Sequence, residues 1–109
     1  MRLTDLKPQF CRYDPPVMSP DGDGRQIRGA RNIAVDTLAE AQGVWFNPPG
    51  TDVTFVIWFA DRGVPDDAFP GGARWPVTGT GYDDMTLTPS ILIPNYWHGF
   101  ITNGEVTTC

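Results

Sequence analysis

Apolar residues recur along this chain in short runs broken by proline and glycine, the spacing of strands and turns rather than of helices. The strongest run is Val53 to Ala60, VTFVIWFA, β-branched or aromatic at nearly every position. Apolarity on both faces implies cover on both faces, so this segment is expected as the central strand of the sheet. Near the C-terminal end, Trp97 to Thr102 and Glu105 to Thr108 flank Asn103-Gly104. Asn-Gly suits a type I′ turn, whose two central residues both need φ > 0, so a tight hairpin is predicted there.

The remaining elements are shorter. Arg25 to Asp36 reads as a strand with Ile33 and Val35 on one face, and Val44-Trp45-Phe46 as another. Trp75 to Val77 and Met85 to Thr88 are predicted as short strands around a Gly79-Thr80-Gly81 turn, followed by the apolar stretch Ser90 to Ile93. Only Thr37 to Gln42 has helical composition. It predicts one or two turns, with Asp36 or Thr37 as N-cap and Gly43 as the stop. Met1 to Phe10 is expected to add an edge strand. Tyr13 to Gly24 and Asp61 to Gly72 are turn-rich loops, and the second is long enough to be functional.

Composition narrows the class. A chain of 109 residues is one domain's worth, and 40% hydrophobic residues with thirteen aromatics suit a globular core. Eleven prolines and twelve glycines favour many turns. The fold class expected is mostly β: a small single-domain antiparallel sheet, sandwich or roll over residues 1–109, with at most one short helix.

Charge excludes some partners. The chain carries −5 overall and a single lysine, Lys7, so direct nucleic-acid binding is not expected. Arg12, Arg25, Arg28 and Arg31 crowd the N-terminal third, where a solvated face explains them. An acidic chain suits a basic partner, including a protein surface that normally holds nucleic acid. The Val53 to Ala60 run is far short of the roughly 20 residues that span a membrane. Arg2 to Phe10 is polar and broken by Pro8, unlike a secretory signal. Cys11 and Cys109 are therefore expected as free thiols, in the cytoplasm of a bacterial host.

Candidate chemistry is sparse. Asp21-Gly22-Asp23-Gly24 opens like a calcium loop. However, Gln26 and Asn32 stand where the glycine and the bidentate glutamate belong, so a plain hairpin loop is the better reading. His98 is the sole histidine, which excludes a multi-histidine metal centre. Asp61, Asp66-Asp67 and Asp83-Asp84 supply carboxylates of the kind hydrolases use, although adjacent aspartates more often solvate a turn. Ser19 and Ser90 sit in no nucleophile elbow, and no strand-loop-helix follows Gly79 and Gly81 to cradle a phosphate. Trp45, Trp58, Trp75 and Trp97 lack the interleaved basic residues of a base-stacking platform.

Residues 83–109, DDMTLTPSILIPNYWHGFITNGEVTTC, resemble the end of a family of small phage and prophage proteins of unknown function. The match lies in Leu87-Thr88-Pro89-Ser90-Ile91 and in Trp97 through Val106. The opening MRLTDL and the segment Val44-Trp45-Phe46-Asn47-Pro48 are also similar, so about a third of the chain carries the likeness. The resemblance implies a C-x-x-C-like pair before the Val-Trp-Phe segment and a cysteine before Trp97-His98, together forming a structural zinc site with the histidine. Here Thr37 to Gln42 and Pro94-Asn95-Tyr96 contain no cysteine. A lone imidazole cannot hold zinc, so no metal or other cofactor is expected, unless Cys11 and Cys109 join His98. Relatives are often labelled ammonia monooxygenase, which one histidine and no copper-binding cluster do not support.

The expected function is therefore non-enzymatic: a phage protein working by contact with another protein. It would be either an inhibitor of a host defence complex, of the anti-CRISPR type, or a small virion component, with self-association left open. The expected contact residues are Trp75, Asp83, Asp84, Tyr96, Trp97 and His98. The alternative is a small hydrolase using Asp83, Asp84 and His98.

Overall fold

Residues 1–109 are all described by the computed structural model, and they fold as an almost purely β protein. The strands are β1 (Gln9–Asp14), β2 (Val17–Met18), β3 (Gln26–Arg28), β4 (Arg31–Ala34), β5 (Gly43–Phe46), β6 (Phe55–Trp58), β7 (Val77–Thr78), β8 (Thr86–Ile93), β9 (Trp97–Thr102) and β10 (Glu105–Thr108). One sheet has the order β4-β1-β5-β6, the other β10-β9-β8-β7, and β2 pairs with β3 in a separate ribbon. All of these pairings are antiparallel.

The two four-stranded sheets enclose one apolar core. Phe10, Val44, Phe46 and Ile57 come from the first sheet, and Leu87, Ile91, Trp97, Ile101 and Val106 from the second. Strand periodicity accounts for this selection. Along β9, Trp97, Gly99 and Ile101 point inward while His98, Phe100 and Thr102 face solvent. The chain start closes one edge: the Leu3 N–H bonds the Gly104 carbonyl at 2.8 Å, and the Val106 N–H bonds that of Met1 at 2.7 Å. A 3-10 turn, Leu3–Leu6, then drops Leu3 and Leu6 into the core. The lead-in is thus a bridge at Arg2 followed by a helical turn, in place of the expected edge strand.

The Asn103-Gly104 turn forms as predicted. Both residues have positive φ, 48° and 73°, and Thr102 faces Glu105 across the two-residue loop. Thr37 to Gln42 is not helical. The Thr37 hydroxyl accepts from the Glu40 N–H, but the only turn lies over Leu38–Glu40 before Gly43 enters β5. Arg25 to Asp36 divides into β3 and β4 at Gly29-Ala30, and the 21–24 turn is the hairpin loop joining β2 to β3. Ser90 to Ile93 fuses with the preceding strand into β8. Three residues of β8 between Leu87 and Ile91 there face Phe100 alone, a bulge of two extra residues.

The largest departure concerns Val53 to Ala60. The segment supplies β6, but β6 lies at the edge of its sheet; β1 and β5 are the inner strands. Its second apolar face is covered by the Asp61–Gly72 loop rather than by another layer of strands. Trp58 packs there with Cys11 and Ala68, and its indole N–H bonds the Phe69 carbonyl at 3.1 Å. Side-chain hydrophobicity reports cover on the faces of a strand, not pairing along its edges.

Of the four clustered arginines the β2–β3 ribbon carries only Arg28 and the adjoining Arg25, whereas Arg12 lies on β1 and Arg31 on β4. The radius of gyration is 14.9 Å against about 13 Å for a compact chain of this length, and the longest extent is 50 Å. Asp14 collects Arg28 at 3.1 Å and Arg31 at 2.8 Å near the ribbon's base.

Candidate functional site

A groove of about 670 Å³ runs along β6. One wall is the loop stretch Phe69, Pro70 and Gly71, and the other is the β8–β9 turn with Leu92, Pro94 and Tyr96. Trp75 closes one end, where it bridges to Phe59 and its N–H bonds the Trp58 carbonyl at 3.1 Å. Most lining residues are hydrophobic, and several show unusual exposure: Phe69 is 86% exposed, Leu92 59% and Tyr96 54%. Concentrated apolar exposure of this kind marks contact surfaces.

Each wall is tied down. Arg74 donates from its two terminal nitrogens to the carbonyls of Pro65, Ala68, Pro70, Gly72 and Ala73 at 2.9–3.4 Å, holding the loop in shape. The Trp75 indole bonds the Ser90 carbonyl at 3.1 Å, linking the closed end to the β8 bulge. The Tyr96 ring lies 4.9 Å from that of Phe55. The floor is backbone as well as side chain. Bonded and non-bonded pairs alternate in an antiparallel ladder, and the Phe59 N–H bonds the Gln42 carbonyl at 2.8 Å. Phe55 and Ile57 therefore bond β5, and the N–H and C=O of Val56 point out along the edge, into the groove.

Two of the six expected contact residues, Trp75 and Tyr96, line this groove. The other four do not. Trp97 is a core residue, 6% exposed, edge-on to Phe46 at 6.0 Å, with its indole N–H on the Thr108 hydroxyl at 2.9 Å. Asp84 is a turn clamp: its carboxylate accepts from the Thr80 N–H, the Thr80 hydroxyl and the Gly81 N–H at 2.8–2.9 Å. Those bonds, the Thr80 N–H first, hold its carboxyl below the usual range. Asp83 faces Arg2, which bonds its carbonyl at 2.8 Å. His98 lies on the solvent face of β9, 3.2 Å from the Ser90 hydroxyl.

This placement separates the residues of the hydrolase alternative. Asp83 sits against Gly104 beyond one end of β9, and His98 sits near the other end. His98 and Asn103 are five residue steps apart along the strand, roughly 17 Å at about 3.4 Å per residue. Nor do Cys11, Cys109 and His98 gather. Cys11 is buried under Trp58 on the first sheet, and His98 is exposed on the second. No three His, Cys, Asp or Glu side chains are grouped to hold a metal ion.

Sequence reasoning did not reach Phe69, Leu92 or Val56. Phe69 is a single aromatic in a turn-rich loop, and Leu92 reads as one more inward strand position. The fold alone shows that both flank an open edge.

The chain matches no protein-family model, no curated protein and no solved structure. No helix is long and apolar enough to cross a membrane.

Proposed function

We propose that this is a phage-encoded protein that acts by binding another protein, and that the β6 groove is its contact surface. The observation that supports it is an apolar, open-edged groove on an acidic body. Residues 32–109 hold two basic and nine acidic side chains, a net charge of −7. Both basic ones, Arg62 and Arg74, donate to backbone carbonyls rather than to acids. Such a body is drawn to a basic protein surface, of the sort that holds nucleic acid in a host defence complex. Inhibition of such a complex in the bacterial cytoplasm is the version that charge favours over a virion role.

Affinity capture from lysate of the bacterial host, before and after infection, tests the reading. A stoichiometric partner should be retained by the wild type and lost by Phe69→Ser with Leu92→Ser. These side chains are exposed, so the melting temperature should be nearly unchanged. Equal capture by wild type and variant would refute the groove as the contact surface.

A further inference from the structure

The groove's floor specifies the shape of what it holds. The four sheet edges are treated differently. β4 presents Arg31 and Asn32, β10 is partly covered by Met1 and Leu3 through backbone bonds, and β7 is two residues long. Charge, cover and shortness are the ordinary ways in which an edge is kept from pairing with another chain. β6 has neither charge nor cover along Phe55–Ile57, where it is wholly apolar and Val56 keeps both backbone groups outward. Trp75 covers only the Trp58–Ala60 end.

We infer that the groove binds an extended, basic-flanked segment of a partner protein, which adds to β6 as a further strand. This rests on the protein-contact reading above and gives it a chemistry. Backbone bonds to Val56 would set the segment's direction and register. Its alternate side chains would enter the two apolar walls, at Phe69 on one face and at Leu92 and Tyr96 on the other. Charge complementarity selects its flanks. Asp52 immediately precedes the lining residue Val53, and Asp66 and Asp67 belong to the loop that forms one wall. All three are exposed, and none is in an ion pair. Lysine or arginine on either side of an apolar strand would meet them. A second copy of this chain is the poorer occupant, because its own β6 is flanked by the same acids.

Synthetic peptides test this with the intact protein. The probe is an alternating valine–threonine heptapeptide with two lysines at each end. Its controls are the same peptide with glutamates for lysines, and the lysine peptide N-methylated at its central residues. Fluorescence anisotropy should show the lysine peptide binding at least tenfold tighter than either control. Hydrogen exchange by NMR should show the Val56 amide protected by the lysine peptide alone. Val56→Pro removes that outward N–H without touching a β5 ladder bond, and it should weaken binding about tenfold with the fold intact by NMR. Should that variant unfold, protection of the wild-type Val56 amide decides the matter.

Equal binding of the N-methylated peptide, no protection at Val56, or no binding of the lysine peptide would overturn strand addition. So would a stable dimer of the chain in light scattering, with Val56 protected in the absence of peptide. If the Phe69→Ser, Leu92→Ser variant still loses its captured partner, only the strand mode has failed. If capture persists, the contact reading has failed with it.

Discussion

Tyr96, at the β8–β9 turn, packs its ring 4.9 Å from that of Phe55 at the start of β6, tilted by 59°. This contact joins the two sheets at the groove's open end, outside the main core. Aromatic pairs contribute about 0.5–1.5 kcal/mol beyond the area they bury. Tyr96→Ala should therefore lower the melting temperature by roughly 4–8 °C for each kcal/mol lost. Calorimetry on Tyr96→Ala, Phe55→Ala and the double variant measures the coupling. Additive losses would mean that the rings do not interact.

Gly22 and Gly104 have nearly the same φ, 70° and 73°, in different surroundings. A Cβ on Gly22 would meet nothing within 4 Å, whereas one on Gly104 would collide with the Asp83 carbonyl and lie 2.6 Å from that of Tyr82. Gly22→Ala should cost about 1–2 kcal/mol, the left-handed penalty alone. Gly104→Ala adds a backbone clash and should cost at least about 2 kcal/mol more by urea denaturation. Equal costs would show that the 82–84 turn can move aside freely.

The two thiols should be chemically distinct. Cys11 is buried beneath Trp58 and Ala68, and burial pushes its thiol up to about 12, while Cys109 is exposed. At pH 8 a thiol reagent should label Cys109 quickly and Cys11 only after unfolding. Unfolding frees Cys11 to ionise near pH 9, so the folded state binds the extra proton between pH 9 and 12. Stability from this group is complete below pH 9 and declines above it, by at most about 1.4 kcal/mol per pH unit. Cys11→Ala should flatten that alkaline decline in urea midpoints.

Asp84 contributes to stability on the acid side. Its bonds to Thr80 and Gly81 favour the carboxylate, so its contribution is present above the ordinary carboxyl pKa of 3.8 and fades as pH falls below it. Asp84→Asn should lower stability at pH 7 and weaken its dependence on acid. Urea midpoints at pH 7 and pH 2.5 make the comparison. An unchanged acid dependence would move the effect to Asp14 or Glu105, whose ion-paired carboxyls are also held low.

Local rules made the hairpin at Asn103-Gly104 legible, because turn type depends on the two residues that form it. The β class was legible for the same reason, through short apolar runs and frequent breaks. Strand order was not. An apolar residue such as Val56 has the same composition whether its backbone faces another strand or an empty edge, so β6 read as central. Trp75 and Tyr96 each carry an apolar ring with a polar atom, and in the fold they line one groove. Trp97 had the same composition but points inward by strand alternation, and Asp83-Asp84 serve a turn and the chain start. Long-range pairing decided each of these fates, and one sequence records it only indirectly.

Arg74 shows how the groove depends on a residue that does not line it. Its guanidinium gathers carbonyls from Pro65 to Ala73, while its buried Nε finds no partner. One orphaned donor is tolerated because the other nitrogens satisfy several loop carbonyls that would otherwise need water. Arg74→Met keeps much of the stem and removes every one of those bonds. The loop should then loosen while the sheets stay paired. Hydrogen exchange should accelerate at least tenfold across residues 66–73 and remain unchanged in β9 and β10. Partner capture should weaken even though Phe69 is untouched, since ordering that wall would become part of the cost of binding. Unchanged exchange in the loop would mean that the Trp58–Phe69 bond alone holds the wall.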